Sequence, residues 1–256
     1  MDTSLQLKKI LLVGSGNVAN HLAEKLSKLN YTLGIYSRNK PTGKALAKKI
    51  NCDFHDQLSV AENFDLLLVC VNDEQINALI EQAPPQVPLA YTSGGTSLVN
   101  FKRKNLGVLY PLQTFTKDRA LDLKKVPFFI ESNSASLEKE LMLLGGQLGS
   151  KAHLVTSEVR AHLHLCGVLV NNFTNHMYVL AEEHLAAHNI PFEHLKPLIK
   201  ETASKVMDLP PKKAQTGPAL RGDLSTIKRH QELMDESLKE IYSFISNSIK
   251  QMNHGK

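Results

Sequence analysis

The 256-residue sequence has only three cysteines, Cys52, Cys70 and Cys166, each in an apolar or isolated setting. That excludes a disulfide framework and argues against a cysteine-based zinc site. Its longest uninterrupted apolar run, 66–71, falls well short of the roughly 20 residues a membrane-spanning helix needs. Met1 to Ser4 offer no positive region leading into an apolar core, so no secretory signal is expected. Internal repeats and low-complexity tracts are also lacking. With 42% hydrophobic residues the chain is too apolar to be disordered, and its length suits one large or two modest domains. These absences predict a soluble, reduced, cytoplasmic protein.

The net charge is +5, and all of it lies early in the chain. Residues 1–60 carry nine basic and four acidic side chains, and the remainder carries 21 of each. The cations stand singly or in pairs, without the dense stripe of a nucleic-acid surface. A small phosphorylated ligand fits better.

Hydropathy patterning predicts an α/β domain of doubly wound, Rossmann type followed by an all-α domain. Strands are expected at 8–14, 31–38, 65–71, 89–92, 107–110, 126–131 and 151–155. Helices are expected at 17–29, 42–50 and 135–148. The 65–71 run is apolar on both faces, as in a central parallel strand covered by helices. Beyond residue 156 no strand is expected. The apolar positions there predict one long helix over 157–187, a second opened by Pro191 to about residue 207, an irregular stretch over 209–216, and a last helix from 218 or 223 to 252. The domains are therefore placed at 1–154 and 155–256.

Gly14-Ser15-Gly16-Asn17-Val18-Ala19 fits G-x-G-x-x-A between the first strand and first helix. The first glycine allows the tight turn, the second lets backbone approach a pyrophosphate, and the small third residue lets helix pack on strand. Helix-opening N–H groups then face the phosphates. The end of the second strand decides which dinucleotide binds. An NAD site places an acid there for the ribose hydroxyls, yet no acid occurs between Glu24 and Asp53. The sequence has Ser37, Arg38 and Lys40 instead, with Lys44 in the next helix, which suits the 2′-phosphate of NADP. Two further strand ends, Val71-Asn72-Asp73 and Thr92-Ser93-Gly94-Gly95, belong to the same carboxyl edge and can position cofactor or substrate.

These segments, VGSGNVA, YSR, VCVND and YTSGG, resemble the superfamily of pyrroline-5-carboxylate reductases, deazaflavin-dependent NADP reductases and β-hydroxyacid dehydrogenases. The closer resemblance is to a bacterial branch of NADP oxidoreductases with a Rossmann-like domain and a helical domain of unknown function. Residues 107–115 (GVLYPLQTF) and 216–223 (TGPALRGD) are the more specific part of that likeness. It implies a homodimer assembled through the helical domain and a substrate cleft lined by the long helix. The hydroxyacid dehydrogenases carry a catalytic lysine on that helix, four residues before an asparagine. Here no lysine lies between Lys151 and Lys196, although Asn171 and Asn172 are present. The usual proton relay of hydroxyacid oxidation is thereby argued against.

Reduction of C=O or C=N needs a proton donor as well as hydride. Among eight histidines in the helical half, His164 lies seven residues before Asn171 and so on about the same helix face, where it can act as acid beside an asparagine holding a carbonyl. Ser93, Asn172, Arg221 and Asp223 complete the candidate catalytic set, Arg221 as a clamp for a substrate carboxylate or phosphate with Asp223 as its counter-charge or as a helix cap. Tyr110 and Gln113 are further cleft candidates. No metal site is expected, because His184 and His188 have helical spacing but no glutamate follows in H-E-x-x-H order and no cysteine is near. The sequence thus predicts an NADP(H)-dependent oxidoreductase for a small carbonyl or imine substrate, with no nucleic-acid or membrane partner. A non-catalytic NADP(H) sensor is the alternative.

Overall fold

The computed structural model describes residues 5–254, so the expectation for Met1 to Ser4 lies outside the described residues. The chain begins β1 (Lys9–Val13), α1 (Asn17–Leu26), β2 (Thr32–Tyr36), α2 (Lys40–Ile50), β3 (Asp53–His55), β4 (Leu66–Val69) and α3 (Asp73–Gln82). It continues through β5 (Leu89–Tyr91), β6 (Leu106–Pro111), β7 (Pro127–Ser132), α4 (Ala135–Leu148) and β8 (Lys151–Leu154). The eight strands form one sheet in the order β3-β2-β1-β4-β5-β6-β7-β8. This is the Rossmann-type doubly wound arrangement predicted from the sequence.

Strand alternation divides the core between the two faces of this sheet. Ile10, Leu12, Leu66 and Leu68 pack on one side with Leu22 and Leu26 of α1 and Leu137, Leu141 and Leu144 of α4. Leu11, Val13, Leu67 and Val69 pack on the other with Ile76, Leu79 and Ile80 of α3. Apolar faces on both sides are what parallel strands under two helical layers require. β3 and α3 escape the sequence reading. The former is a three-residue edge strand, and the latter is a helix whose mostly polar surface leaves a thin apolar stripe.

A reversal of strand direction sets the path of the helix that leaves the sheet. β7 runs antiparallel to β6, and β8 runs parallel to β7. The last strand therefore ends at the amino edge of the β1–β6 array, and the next helix, α5 (Ser157–Gly167), runs back toward its carboxyl edge. Its contacts climb in that direction. Ser157 accepts from the Leu98 N–H, Arg160 reaches the Ser93 and Thr96 carbonyls, His164 meets Tyr110, and Gly167 lies against Leu112.

Compactness divides the chain into 1–171 and 172–256. The strands end at Leu154, where the sequence places the domain boundary, but α5 belongs to the first unit through its polar contacts. A π-helical segment, Val168–Phe173, joins α5 to α6 (Thr174–Ala187), so the long helix predicted over 157–187 is helical throughout with an i→i+5 stretch inside it. The second unit continues with α7 (Lys196–Asp208), α8 (Pro211–Ala214), α9 (Pro218–Arg221), α10 (Leu224–Glu232) and α11 (Glu236–His254). The single last helix expected from 218 or 223 is in fact these last three pieces. Gly222, at φ 71°, ends α9, and the carboxylates of Asp223 and Asp235 accept from the Thr226 and Leu238 N–H groups to restart the helix twice.

Arg103 fixes the base of α3. Its guanidinium donates to the carbonyls of Ile80, Ala83, Pro84 and Val87 at 2.5–3.1 Å, closing the open end of the helix and the turn after it. Burial pushes its pKa down. Replacing it by alanine strands several carbonyls, and Arg103→Ala is expected to lower stability by about 2 kcal/mol. Urea unfolding of the two forms, with unchanged slope and a lower midpoint, checks this.

Candidate functional site

A cavity of about 580 Å³ opens at the carboxyl ends of β1, β2 and β4. Gly14, Ser15, Gly16, Ser37, Arg38, Val71 and Asn72 line it, all of them expected at a cofactor site, together with Tyr36, Asn39, Cys70, Gln75 and Leu79. Gly14 has φ 121°, and a Cβ there would lie 2.4 Å from the Cys70 carbonyl oxygen, so no other residue fits the turn. Gly16 is the reverse case. A Cβ there would meet nothing within 4 Å, which leaves the backbone open to a ligand.

No side chain caps α1, so its first N–H groups are presented to the cavity mouth. Ser15 hydrogen-bonds both Ser37 at 2.9 Å and Thr42 at 2.7 Å, tying the glycine turn to the β2–α2 corner. Asn39 caps α2 by accepting from the Thr42 N–H. Arg38 is exposed on the cavity wall, whereas Lys40 pairs with Asp56 at 3.1 Å and Lys44 lies over the Phe54 ring. Asn17 and Val18 sit in the first turn of α1. The Cys70 thiol is buried beneath the cavity, and desolvation pushes its pKa up to about 12, which makes it inert.

A second cluster forms at the ends of β5 and β6. Ser93 donates to Asp73 at 2.8 Å and accepts from the Gly95 and Thr96 N–H groups, which shapes the Ser93–Thr96 turn. Thr92 donates to the Val69 carbonyl, so neither hydroxyl hangs free. Arg160 of α5 is wholly buried. It donates to the Ser93, Gly94 and Thr96 carbonyls at 2.8–3.2 Å and to Glu131 at 2.8 Å. One turn later His164 Nδ1 meets the Tyr110 hydroxyl at 3.1 Å. Burial pushes the Tyr110 pKa up, with Arg160 opposing and Asp73 adding to the shift. Arg160 and Glu131 are the members that pattern reasoning missed, whereas Asp73 belongs to a strand end that the sequence already placed at this edge. The available signal was a lone arginine in the first turn of a helix whose capping Thr156 follows the last strand.

Of the remaining candidates, Asn172, Arg221 and Asp223 belong to the second unit. Asn172 is exposed within the π segment. Asp223 serves as the cap of α10, and hydrogen bonds from Thr226 and Ser225 hold its carboxyl down at a pKa of about 2. Arg221 is exposed at the end of α9 and makes no ion pair among the described residues. Gln113 accepts from the Thr114 N–H and is exposed.

Residues 9–89 match the family described as NADP oxidoreductase coenzyme F420-dependent, and residues 126–249 match a domain of unknown function, DUF2520. A crystal structure from Bacteroides fragilis, provisionally named an NADP oxidoreductase, is 35% identical, with a TM-score of 0.88 over 97% of this chain and 100% of that one. The chain belongs to this family of NADP oxidoreductases. The fold extends further than the family. An imine reductase from Myxococcus stipitatus in complex with NADP⁺ is 16% identical, with a TM-score of 0.68 over 96% of this chain and 93% of that one. A reductive aminase from Aspergillus terreus in complex with NADPH and ethyl-5-oxohexanoate is 13% identical, with a TM-score of 0.70 over 95% of each. No curated protein matches the chain. Within the described residues no group of side chains is arranged to hold a metal ion.

Arg160 is the side chain on which the second cluster depends. Arg160→Met keeps the volume but leaves Glu131 largely enclosed without its counter-charge and the Ser93 and Gly94 carbonyls without this donor, while Thr96 keeps the Tyr91 hydroxyl, so a loss of about 3 kcal/mol is expected. Thermal unfolding, read beside amide exchange at Gly95 and Thr96, tests whether the loss is centred on this turn.

Proposed function

We propose that the chain is an NADP(H)-dependent oxidoreductase that passes hydride between the cofactor and a small carbonyl or imine compound. The carrying observation is the cavity at the carboxyl edge. It offers an uncapped helix start and an open glycine for a pyrophosphate, and at its far wall an arginine where an NAD site would place an acid. In this reading Gly14, Ser15, Gly16, Asn17 and Val18 cradle the phosphates. Ser37 and Arg38 take the 2′-phosphate, with Lys40 adding to the local field. Val71, Asn72, Thr92 and Ser93 border the nicotinamide half.

When bound, the cofactor supplies the hydride chemistry, and the protein's part is to orient, exclude water and handle the proton. Arg221 orients an anionic group of the substrate, Asn172 holds its polar oxygen or nitrogen, and Asp223 keeps the arginine's turn in place by capping α10. The functional division is at residue 154, with 1–154 binding cofactor and 155–256 serving substrate and assembly. Free cysteines suit a cytoplasmic setting. Among the described residues no helix is long and apolar enough to cross a membrane.

Assembly as a homodimer through the helical part is supported by how little of that part is buried, Ala219, Ile227 and Ser246 being its buried residues beyond α5 among those described. α6 and α7 bury no side chain, and Phe173, Met177, Met207 and Phe244 are exposed. Apolar surface on this scale needs a partner. A second copy is the partner proposed, and sedimentation at micromolar concentration is expected to give about 57 kDa, twice the 28.4 kDa chain. A 28 kDa species would overturn it.

The cofactor reading is tested by titrating NADPH and NADH. The wild type is expected to prefer NADPH, and Arg38→Ala to cost about tenfold or more in NADPH affinity while leaving NADH unchanged. Equal affinities would remove the phosphate argument. Absorbance loss of NADPH across a panel of 2-keto acids, ketones and cyclic imines tests turnover. Binding without turnover on any of them would favour a sensor.

A further inference from the structure

We propose that His164, held by Tyr110 and admitted by Gly94, is the acid that delivers the substrate proton, with Tyr110 as its positioning residue. The inference rests on the oxidoreductase reading and assigns within it the group that completes the reduction.

The geometry begins with a glycine. A Cβ on Gly94 would lie 2.6 Å from His164 Nδ1 and 2.6 Å from Tyr110 Cζ, so only glycine leaves room for the ring pair. The two rings meet edge to face, with centroids 5.9 Å apart, and share the 3.1 Å hydrogen bond. Tyr110 is 8% exposed, yet His164 is exposed. One ring nitrogen is thus engaged by the phenol while the histidine keeps an open face. Gly95 lies alongside, where a Cβ would stand 3.8 Å from His164 Cδ2 and 3.4 Å from Asp73 Oδ2. The backbone of the 93–96 turn lies next to the imidazole with no side chain between them.

The elements that meet there are rigid. Arg160, one helical turn before His164, bolts α5 to the 93–96 turn and to Glu131 of β7. Thr156 caps α5 by accepting from the Val159 N–H. The charged and titratable groups packed around the imidazole are therefore Asp73 across the glycines, Tyr110 beside it, and the Arg160–Glu131 pair one turn below.

The phenol cannot be the proton source. Desolvation raises its pKa, so passing its proton through the ring would leave a buried tyrosinate. The acid is the imidazolium. In the proposed step its Nδ1–H donates to the Tyr110 oxygen across the 3.1 Å bond, which leaves the Nε2–H of the exposed ring for the substrate. As the substrate carbon takes hydride, the π pair of C=O or C=N moves onto the heteroatom, and that pair takes the Nε2 proton. Two electrons and one hydrogen arrive from the reduced cofactor and one proton from His164, leaving an alcohol or amine, oxidised cofactor and a neutral Nδ1–H imidazole. A neutral imine or carbonyl needs this proton. A substrate that is already an iminium does not.

The test compares wild type, His164→Asn, His164→Gln and Tyr110→Phe on three readouts. NADPH affinity by fluorescence is expected to stay within about twofold in all four. With a substrate from the panel that the wild type reduces, both His164 variants are expected to lose about 10²–10⁴-fold in kcat together with the fall in rate at high pH. Tyr110→Phe is expected to lose less and to keep that fall. The third readout needs no substrate: ¹⁵N spectra of histidine side chains are expected to place a hydrogen-bonded proton on His164 Nδ1 and to shift that signal in Tyr110→Phe. Wild-type turnover that His164→Asn retains, with its pH profile, overturns the acid while sparing the oxidoreductase reading. A wild type that binds NADPH but reduces nothing overturns that reading, and the acid with it. An unmoved Nδ1 signal in Tyr110→Phe overturns the positioning role alone.

Discussion

A single buried guanidinium holds the carboxyl-edge machinery together. Arg160 enters from a helix and satisfies three carbonyls of a turn at the end of β5, while its charge is balanced by Glu131 from β7. A cation taken wholly out of water is tolerated only when its hydrogen bonds are nearly all made and a counter-ion is in contact. That demand gives the site its shape. The 93–96 turn must present its carbonyls inward, which sends its N–H groups to Ser93, leaves Gly94 beneath the His164 ring and Gly95 at the outer surface, and requires α5 to lie close across it.

The reversal at β7 makes the closeness available. In an all-parallel continuation the strand before α5 would end at the carboxyl edge, and the helix would descend away from it. Because β7 and β8 run the other way, α5 starts low and rises, so its second and third turns arrive where the β5 and β6 ends already are. Topology here does the work that a long connecting loop does elsewhere, and a helix delivers side chains with less conformational freedom than a loop.

Much of this was legible in the residues. Gly14 and Gly16 announced the turn by their spacing, and the unbroken LLLV of β4 announced a strand covered on both sides. Arg38, in a stretch without acids, pointed to the phosphate side of the cavity. Other parts were illegible for physical reasons. Alternation cannot mark a strand of three residues, such as Asp53–His55, and strand direction leaves no trace in local hydropathy, so the antiparallel β7 was invisible. The π segment preserves helical spacing closely enough to read as ordinary helix. Periodicity misled most in α5. Val159 and Cys166 fall on the helically spaced apolar positions and are exposed, whereas Arg160 is buried, because here the inward face is chosen by unsatisfied carbonyls rather than by apolar area.

One consequence concerns chain length rather than chemistry. Between the Thr156 cap and His164 the helix acts as a ruler and a protractor at once, advancing about 1.5 Å and turning about 100° for each residue. Since Arg160 pins the middle of this span, adding or removing one residue after it would swing the imidazole to another side of the helix, with no slack to absorb the error. The exposed 117–120 stretch, between Thr116, whose carbonyl meets His21, and Leu121, which packs on the core, has no such constraint. Relatives of this chain would then be free to vary in length after β6 while keeping α5 strictly in step, so that diversification along the helix proceeds by exchange of side chains and never by insertion.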